Sequence, residues 1–288
     1  MPLPALLFAA LAPASFTVYA AGDIAYCGAA DPRWSGAADT AALVAAGLAQ
    51  DEQAMVLVLG DNAYPRGSLA DYRHCYGPTW GRFRERTWPA PGNHDYATAG
   101  AAGYLAYFGK PLWYSVERGA WHIVALDSNL DPLRQAEQLA WLRADLAAST
   151  APCTLATWHH PLYSSGWHGA SAAMRPAWDI LMDAGADLVL SGHDHVYERF
   201  APQDAQGRRD EARGLRQFVV GTGGARLTPF LWPRPNSEVR DNMRTGVLRL
   251  RLMQDSYSWS FLEASNEGSP AGPEPDRGSA RCHGQHTD

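Results

Sequence analysis

Four times along this 288-residue chain, a run of apolar residues stops on a short polar motif rich in aspartate or histidine. Phe16-Thr17-Val18-Tyr19-Ala20 runs into Gly22-Asp23-Ile24-Ala25, and Met55-Val56-Leu57-Val58-Leu59 into Gly60-Asp61-Asn62-Ala63-Tyr64. Thr154-Leu155-Ala156-Thr157-Trp158 leads to His159-His160-Pro161, and Asp187-Leu188-Val189-Leu190 to Gly192-His193-Asp194-His195. Short continuous apolar runs of this kind predict strands buried on both faces. In α/β sheets, ligand sites form outside the carboxyl ends of such strands. The chain is thereby committed to a sheet whose strand ends gather carboxylates and imidazoles. A fifth motif, Gly92-Asn93-His94-Asp95, follows Trp88-Pro89-Ala90-Pro91, which is too proline-rich for a strand to be predicted.

The segments between these strands have helical character. Ala37 to Gln50 predicts a helix with Ser35 as its cap, Leu133 to Ala148 carries Leu139, Leu142 and Leu146 on one face, and Met174 to Ala184 predicts a third. Trp121 to Leu126 is a further strand. Beyond residue 200 the pattern is mostly β, with strands at Gln217 to Val220, Gly246 to Met253 and Tyr257 to Glu263. From about residue 264 onward Gly, Pro, Ser and charge dominate, predicting loop or tail. Without a repeat or linker, the expectation is one domain over residues 15–265, a lead-in at 1–14 and a polar tail at 266–288.

Composition narrows the function. An apolar fraction of 46% supports a large core. A net charge of −6 with scattered Lys and Arg is not a nucleic-acid footprint. The eleven Trp and twelve Tyr are expected mainly in the core. Residues Leu3 to Ala12 resemble the apolar core of an export signal without its positive flank, the alternative being a plain lead-in to the first strand. The stretch is too short to span a bilayer, and no other segment approaches 18 apolar residues, so no membrane partner is expected. Export to the periplasm or outside the cell is the expectation, with a cytoplasmic site as the alternative. Cys27, Cys75, Cys153 and Cys282 form no Cys-x-x-Cys pair, which argues against a zinc ribbon. They allow two disulfides in three pairings or four buried thiols. Cys27 and Cys75 lie just beyond the first two motifs, and Cys282 sits in a tail that needs tying down, with Cys153 left as its partner.

Carboxylate, phenol, imidazole and amide oxygen together suit borderline or hard transition metals, not calcium or a soft metal. The five motifs, in this order over about residues 15 to 200, resemble those of the calcineurin-like metallophosphoesterases, and within them the purple acid phosphatases. The resemblance implies a two-sheet β sandwich flanked by helices, a four-layer α/β fold, with two metal ions at the sheet edge. Matched residue by residue, it implies that Asp23, Tyr64 and His195 bind the first metal, that Asn93, His159 and His193 bind the second, and that Asp61 bridges both. It further implies that His94 and His168 face the substrate phosphate. Many superfamily members carry a metal-binding His where this chain has Ala25. Tyr64 supplies the missing ligand, as in the purple enzymes, whose usual residue at position 25 is Gly. A carboxylate can bridge because it has two oxygens with lone pairs. A tyrosine ionises only near pH 10 when free, so a Tyr64 phenolate favours Fe(III), paired with divalent Fe, Zn or Mn.

The remaining residues receive smaller roles. His160 and Asp127 are expected to be structural, Asp95 to orient His94 or cap a turn, and Arg199 to pair with an acid. Gly221-Thr222-Gly223-Gly224 lacks the Lys-Ser/Thr ending of a P-loop and predicts a turn near the site. Trp167, Tyr163 and Tyr96 are candidates for the cleft mouth, with core packing as the alternative. The function implied is hydrolysis of phosphate monoesters by a metal-bound hydroxide. A phosphodiesterase or nucleotide pyrophosphatase on the same centre, and a non-catalytic metal- or phosphate-binding protein, are the alternatives. The expected partner is a phosphorylated small molecule.

Overall fold

The apolar strands pair into two separate sheets. The structure is a computed structural model that describes residues 15–28, 35–265, 270 and 272–284. One sheet has six strands in the order β15-β14-β13-β1-β3-β5. These are β1 (Ser15–Ala21), β3 (Met55–Leu59), β5 (Thr87–Ala90), β13 (Gly246–Met253), β14 (Ser256–Glu263) and β15 (Asp276–Arg281). The other has seven, in the order β12-β10-β11-β9-β8-β7-β6. They are β6 (Tyr114–Arg118), β7 (Trp121–Ala125), β8 (Cys153–Thr157), β9 (Leu188–Ser191), β10 (Tyr197–Phe200), β11 (Arg216–Val220) and β12 (Ser237–Asp241). A two-residue ribbon joins β2 (Ala25–Tyr26) to β4 (Ala63–Tyr64) in parallel.

Alternation along the strands sorts side chains into layers. Trp121, Ile123, Leu155 and Leu190 join Val18, Val56 and Leu250 in one continuous cluster, so the two sheets share a core. Their neighbours Val124, Ala156 and Val189 belong to a second cluster with Leu142, Leu146, Trp178 and Leu181. That cluster covers the outer face of the seven-stranded sheet with α4 (Pro132–Ala148) and α5 (Arg175–Asp183). Each such buried Leu, Val or Ile contributes roughly 1.5–3 kcal/mol. On the other side α1 (Gly36–Gln50) buries Ala37, Ala41, Val44 and Leu48 at helical spacing. The single turn α2 (Leu69–Asp71) is closed by a reciprocal Ser68–Asp71 capping box, and α3 (Ala102–Phe108) ends at Gly109. The result is the expected four-layer sandwich.

Three local expectations are corrected. The proline-containing segment before Gly92 is a strand after all: β5 pairs in parallel with β3, Pro89 opposite Val58. It lies at the sheet edge, where a missing N–H costs little. Ser35 does precede α1, but its side chain makes no capping bond, whereas Asp131 caps α4 through the Leu133 and Arg134 N–H groups. Residues 276–281 are not loop: β15 pairs antiparallel with β14. The polar residues there are spent internally. The Asp276 carboxylate accepts from the Tyr197 hydroxyl at 2.7 Å, the Arg199 Nε at 2.8 Å and the Trp259 indole at 3.2 Å. Arg199 also pairs with Glu238, which fits the ion-pair role expected of it. The apolar stretch at 1–14 and residues 266–269, 271 and 285–288 of the tail lie outside the described residues.

The four cysteines form the disulfides Cys27–Cys75 and Cys153–Cys282. The second ties the end of β15 to β8 in the opposite sheet across 129 residues of chain. Replacing both Cys153 and Cys282 by Ala should lower unfolding free energy by about 2–4 kcal/mol. A denaturation midpoint below that of oxidised wild type checks this, and a variant indistinguishable from oxidised wild type would show that the bond has no effect.

Candidate metal centre

β1, β3 and β5 run parallel, as do β7, β8, β9 and β11. Their carboxyl ends therefore open at the same edge of the sandwich, and all five motifs meet there. The turns that follow are abrupt. Asp23, Asp61 and His193 have φ of 59°, 50° and 71°, in the left-handed region. Such a conformation costs a non-glycine residue about 1–3 kcal/mol and persists only where the surroundings enforce it. The enforcement is a set of cross-loop backbone bonds, Asp23 N–H to the Gly60 carbonyl at 3.0 Å, Ile24 N–H to Asp61 at 3.0 Å and Gly192 N–H to His159 at 3.1 Å. Gly60 has φ of 87°, and a Cβ there would lie 2.5 Å from the His159 ring. The Gly221–Gly224 run makes the expected turn beside the site. Gly223 N–H reaches Gly22 at 2.9 Å, and Ala225 N–H reaches Asp23 at 2.8 Å.

Both aspartates are fixed by one oxygen and present the other. Asp23 Oδ2 accepts the His193 N–H at 2.8 Å, and Asp61 Oδ1 accepts the His94 N–H at 2.7 Å. The inward oxygens then sort the donors into two groups. The Tyr64 hydroxyl lies 3.0 Å from Asp23 Oδ1 and 3.1 Å from His195 Nε2. His159 Nε2 lies 3.1 Å from Asn93 Oδ1 and 3.3 Å from His193 Nδ1. Asp61 Oδ2 touches both groups, at 3.1 Å from the Tyr64 hydroxyl and 3.4 Å from His159 Nε2. It stands between them through a single oxygen, not through the two that a symmetric carboxylate bridge would use.

The imidazoles are aimed by their outer nitrogens. Nδ1 of His159 bonds the Leu59 carbonyl, and Nδ1 of His195 the Arg226 carbonyl, each at 2.8 Å. Nδ1 of His94 bonds the Pro65 carbonyl at 2.7 Å. An Nδ1–H held this way leaves Nε2 with its lone pair toward the centre, the usual arrangement behind a metal ligand. Burial pushes His159 and His195 down, but the adjacent Asp61 and Asp23 carboxylates push harder the other way, raising each to about 9. Burial likewise acts on Asp61 against His159 and His94, which prevail and hold it well below the carboxylate range. Burial and the two carboxylates together push Tyr64 far up. One phenolic hydrogen cannot serve both Asp23 and Asp61. The acceptor atoms converge as they do around bound cations, and a transition-metal pair fits this donor set.

The nine residues singled out from the sequence all reach this edge. His168 packs its ring 5.0 Å from that of His193 and 5.4 Å from that of His195, while His94 lies 4.4 Å from the Tyr64 ring. His160 is held by Ser128, whose hydroxyl lies 2.8 Å from its Nδ1, and burial with the His159 charge lowers it to about 3. Asp127 binds Tyr96 and Asn129. Of the candidate mouth residues, Trp167 is 60% exposed at the rim. Tyr163 packs against the core cluster and donates to the Asp204 carbonyl at 2.8 Å instead. Asp95 does not orient the His94 ring. It accepts from Gly92 N–H at 2.8 Å, Asn62 at 3.1 Å and Tyr72 at 2.7 Å, locking two motif loops together from behind. Asn62 and Asp194 carry supporting roles that their sequence neighbours do not reveal. Asp194 accepts the N–H groups of His168 and Gly169 at 2.7 and 3.0 Å.

Residues 16–197 match the Calcineurin-like phosphoesterase family, and the chain belongs to it. Within that family it is similar to purple acid phosphatases. Purple acid phosphatase 15 of Arabidopsis thaliana is 29% identical over 215 residues, spanning 60% of this chain and 40% of that protein. Purple acid phosphatase 22 of the same plant is 33% identical over 168 residues, spanning 54% and 38%. The chain thus spans about two fifths of the length of these curated relatives. A purple acid phosphatase from yellow lupin seeds shares the fold, with a TM-score of 0.71 at 19% identity over 92% of this chain and 53% of its own. Family and relatives imply a binuclear metal centre, and at this edge His159, His160 and His193, and likewise Asp23, Asp61 and His159, bring possible ligand atoms within 4.8 Å of one another.

The raised histidines give a pH test. An imidazole lifted from 6.5 to about 9 by folding stabilises the metal-free fold fully below pH 6.5. That contribution is lost as pH rises through about 9. Chelator-treated protein should therefore melt at lower temperature at pH 9 than at pH 6.5, and divalent or ferric ions should reverse the loss while releasing protons. Calorimetry in buffers of different ionisation enthalpy reads the proton count. Metal uptake without proton release would show that the ions do not occupy this cluster.

Proposed function

We propose that this centre hydrolyses phosphate monoesters. The carrying observation is the division of seven donors into two groups that share Asp61 Oδ2. Asp23, Tyr64 and His195 would hold one ion and Asn93, His159 and His193 the other, with Asp61 Oδ2 shared by the two groups. A bound pair supplies an activated water and positive charge for in-line displacement at phosphorus. The chain supplies the rest. Backbone N–H groups of His193 and His94 keep the aspartates from rotating, and the Leu59 and Arg226 carbonyls hold the imidazoles in one tautomer. His94 and His168 stand on the open side, placed to bind non-bridging phosphate oxygens. One of them, protonated, delivers a proton to the leaving alkoxide.

The metal choice follows from Tyr64. Its surroundings oppose ionisation, so a phenolate there requires a strong Lewis acid, and Fe(III) beside a divalent Fe, Zn or Mn fits. Two disulfides support export to an oxidising compartment. Among the described residues no helix is long and apolar enough to cross a membrane.

Iron-loaded wild type should be pink to purple through a tyrosinate-to-iron band, and Tyr64→Phe should be colourless while keeping both ions. Asp61→Asn should lose at least one metal per chain. His94→Ala and His168→Ala should keep both and lose about 10²–10⁴-fold in kcat. Metal analysis, a visible spectrum and turnover of matched mono- and diesters check all three. Faster diester cleavage by wild type would overturn the monoester assignment, and full activity in a colourless, iron-free protein would overturn Fe(III).

A further inference from the structure

Asp194 sits between two proposed metal ligands yet points away from the ions. Its carboxylate is fully buried. Three donors from the loop Ser164-Ser165-Gly166-Trp167-His168-Gly169 converge on it. The His168 N–H reaches Oδ1 at 2.7 Å, the Gly169 N–H reaches Oδ2 at 3.0 Å, and the Ser164 hydroxyl donates to Oδ2. The Ser164 oxygen in turn accepts the Gly166 N–H at 3.0 Å. Gly166 lies so close that a Cβ there would be 2.5 Å from the Asp194 carboxyl carbon. The loop is wrapped round the carboxylate. A carboxylate is the one short side chain that only accepts, which suits three inward donors. The backbone of Asp194 is equally fixed, its N–H on Gly192 at 2.9 Å and its carbonyl taking Val196 N–H at 2.7 Å.

We infer that Asp194 is a positioning residue that sets the height of His168 above the metal edge, so that proton delivery to the leaving group depends on it. This rests on the phosphatase reading and takes His168, of the two histidines on the open side, as the one that delivers the proton. His193 and His195 flank Asp194 in sequence, so the strand end that aims the ligands also aims the proton donor. The two settings are made by different atoms. Ligand placement uses the Asp23 carboxylate and the Arg226 carbonyl, and His168 placement uses the Asp194 side chain. Removing the side chain should therefore separate catalysis from metal binding.

The experiment compares wild type, Asp194→Asn, His168→Ala and the double variant on two monoesters. With 4-nitrophenyl phosphate the leaving phenolate departs without a proton. With glycerol 2-phosphate the alkoxide must be protonated. Asp194→Asn should retain both metals and speed amide exchange at His168 and Gly169. It should cut kcat on the glycerol ester about 10²-fold, and on the nitrophenyl ester less than about five-fold. In the His168→Ala background the same substitution should cost nothing further on either ester, the non-additivity expected of residues acting as a unit. Ser164→Ala, which removes one donor, should give a smaller effect of the same selectivity and serves if Asp194→Asn does not fold. Metal loss, equal losses on both esters, or full additivity with His168→Ala would overturn the inference. Wild type that cleaves neither ester would instead overturn the phosphatase reading, and this inference with it.

Discussion

The parallel pairing of β1 with β3, and of β8 with β9, places the residues after each strand about one strand spacing apart, near 4.8 Å. Everything at the metal edge depends on that spacing. Asp23 and Asp61 follow neighbouring strands of one sheet, His159 and His193 neighbouring strands of the other. Face-to-face packing of the sheets closes the gap, and the His193 N–H donating to Asp23 Oδ2 and the His159 Nδ1–H donating to the Leu59 carbonyl are among the hydrogen bonds that span it. A strand slipped by one residue would turn every inward side chain outward. The shared hydrophobic core therefore specifies the donor geometry as directly as the donors do.

Much of this was legible in the sequence because each donor adjoins an apolar run, and apolar runs are read by length and composition. The layers followed from the same runs, with helices in the gaps between them. What escaped depends on contacts between distant residues. Pro89 argued against a strand, but the edge of the sheet tolerates it. Its carbonyl is held by the Tyr104 and Tyr114 hydroxyls at 2.9 and 3.0 Å. Asp276 looked like part of a solvated tail, yet its partners lie 79, 77 and 17 residues away. Asp95 and Asp194 were hidden by more conspicuous neighbours, His94 on one side and two histidines on the other. Their partners, Asn62, Tyr72 and the loop at 164–169, cannot be paired with them by spacing alone. For Tyr163 the sequence left cleft mouth and core packing both open, and the structure takes the second.

The chain also separates the work of holding charge from that of holding shape. At the metal edge, the buried Asp23 and Asp61 carboxylates raise the proton affinity of the adjacent His195 and His159 imidazoles against the effect of burial. At the far end, the Cys153–Cys282 bond joins the same two sheets, while the Asp276 carboxylate, level with the end of β1, joins them again through Tyr197 and Arg199. An electrostatically demanding edge is thus opposed by a covalently closed one, and neither sheet can shift against the other without disturbing both.

The left-handed backbone at Asp23, Asp61 and His193 bears on how such a scaffold can change over evolutionary time. Each of these positions favours glycine on conformational grounds, and two of them also crowd like charges together. A lineage that no longer needed the ions could replace these residues and relieve torsional and charge repulsion at once, while the sandwich beneath stayed intact. Loss of chemistry from this architecture would then run with folding stability instead of against it. Such a fold can outlive its own reaction and remain available as a rigid platform.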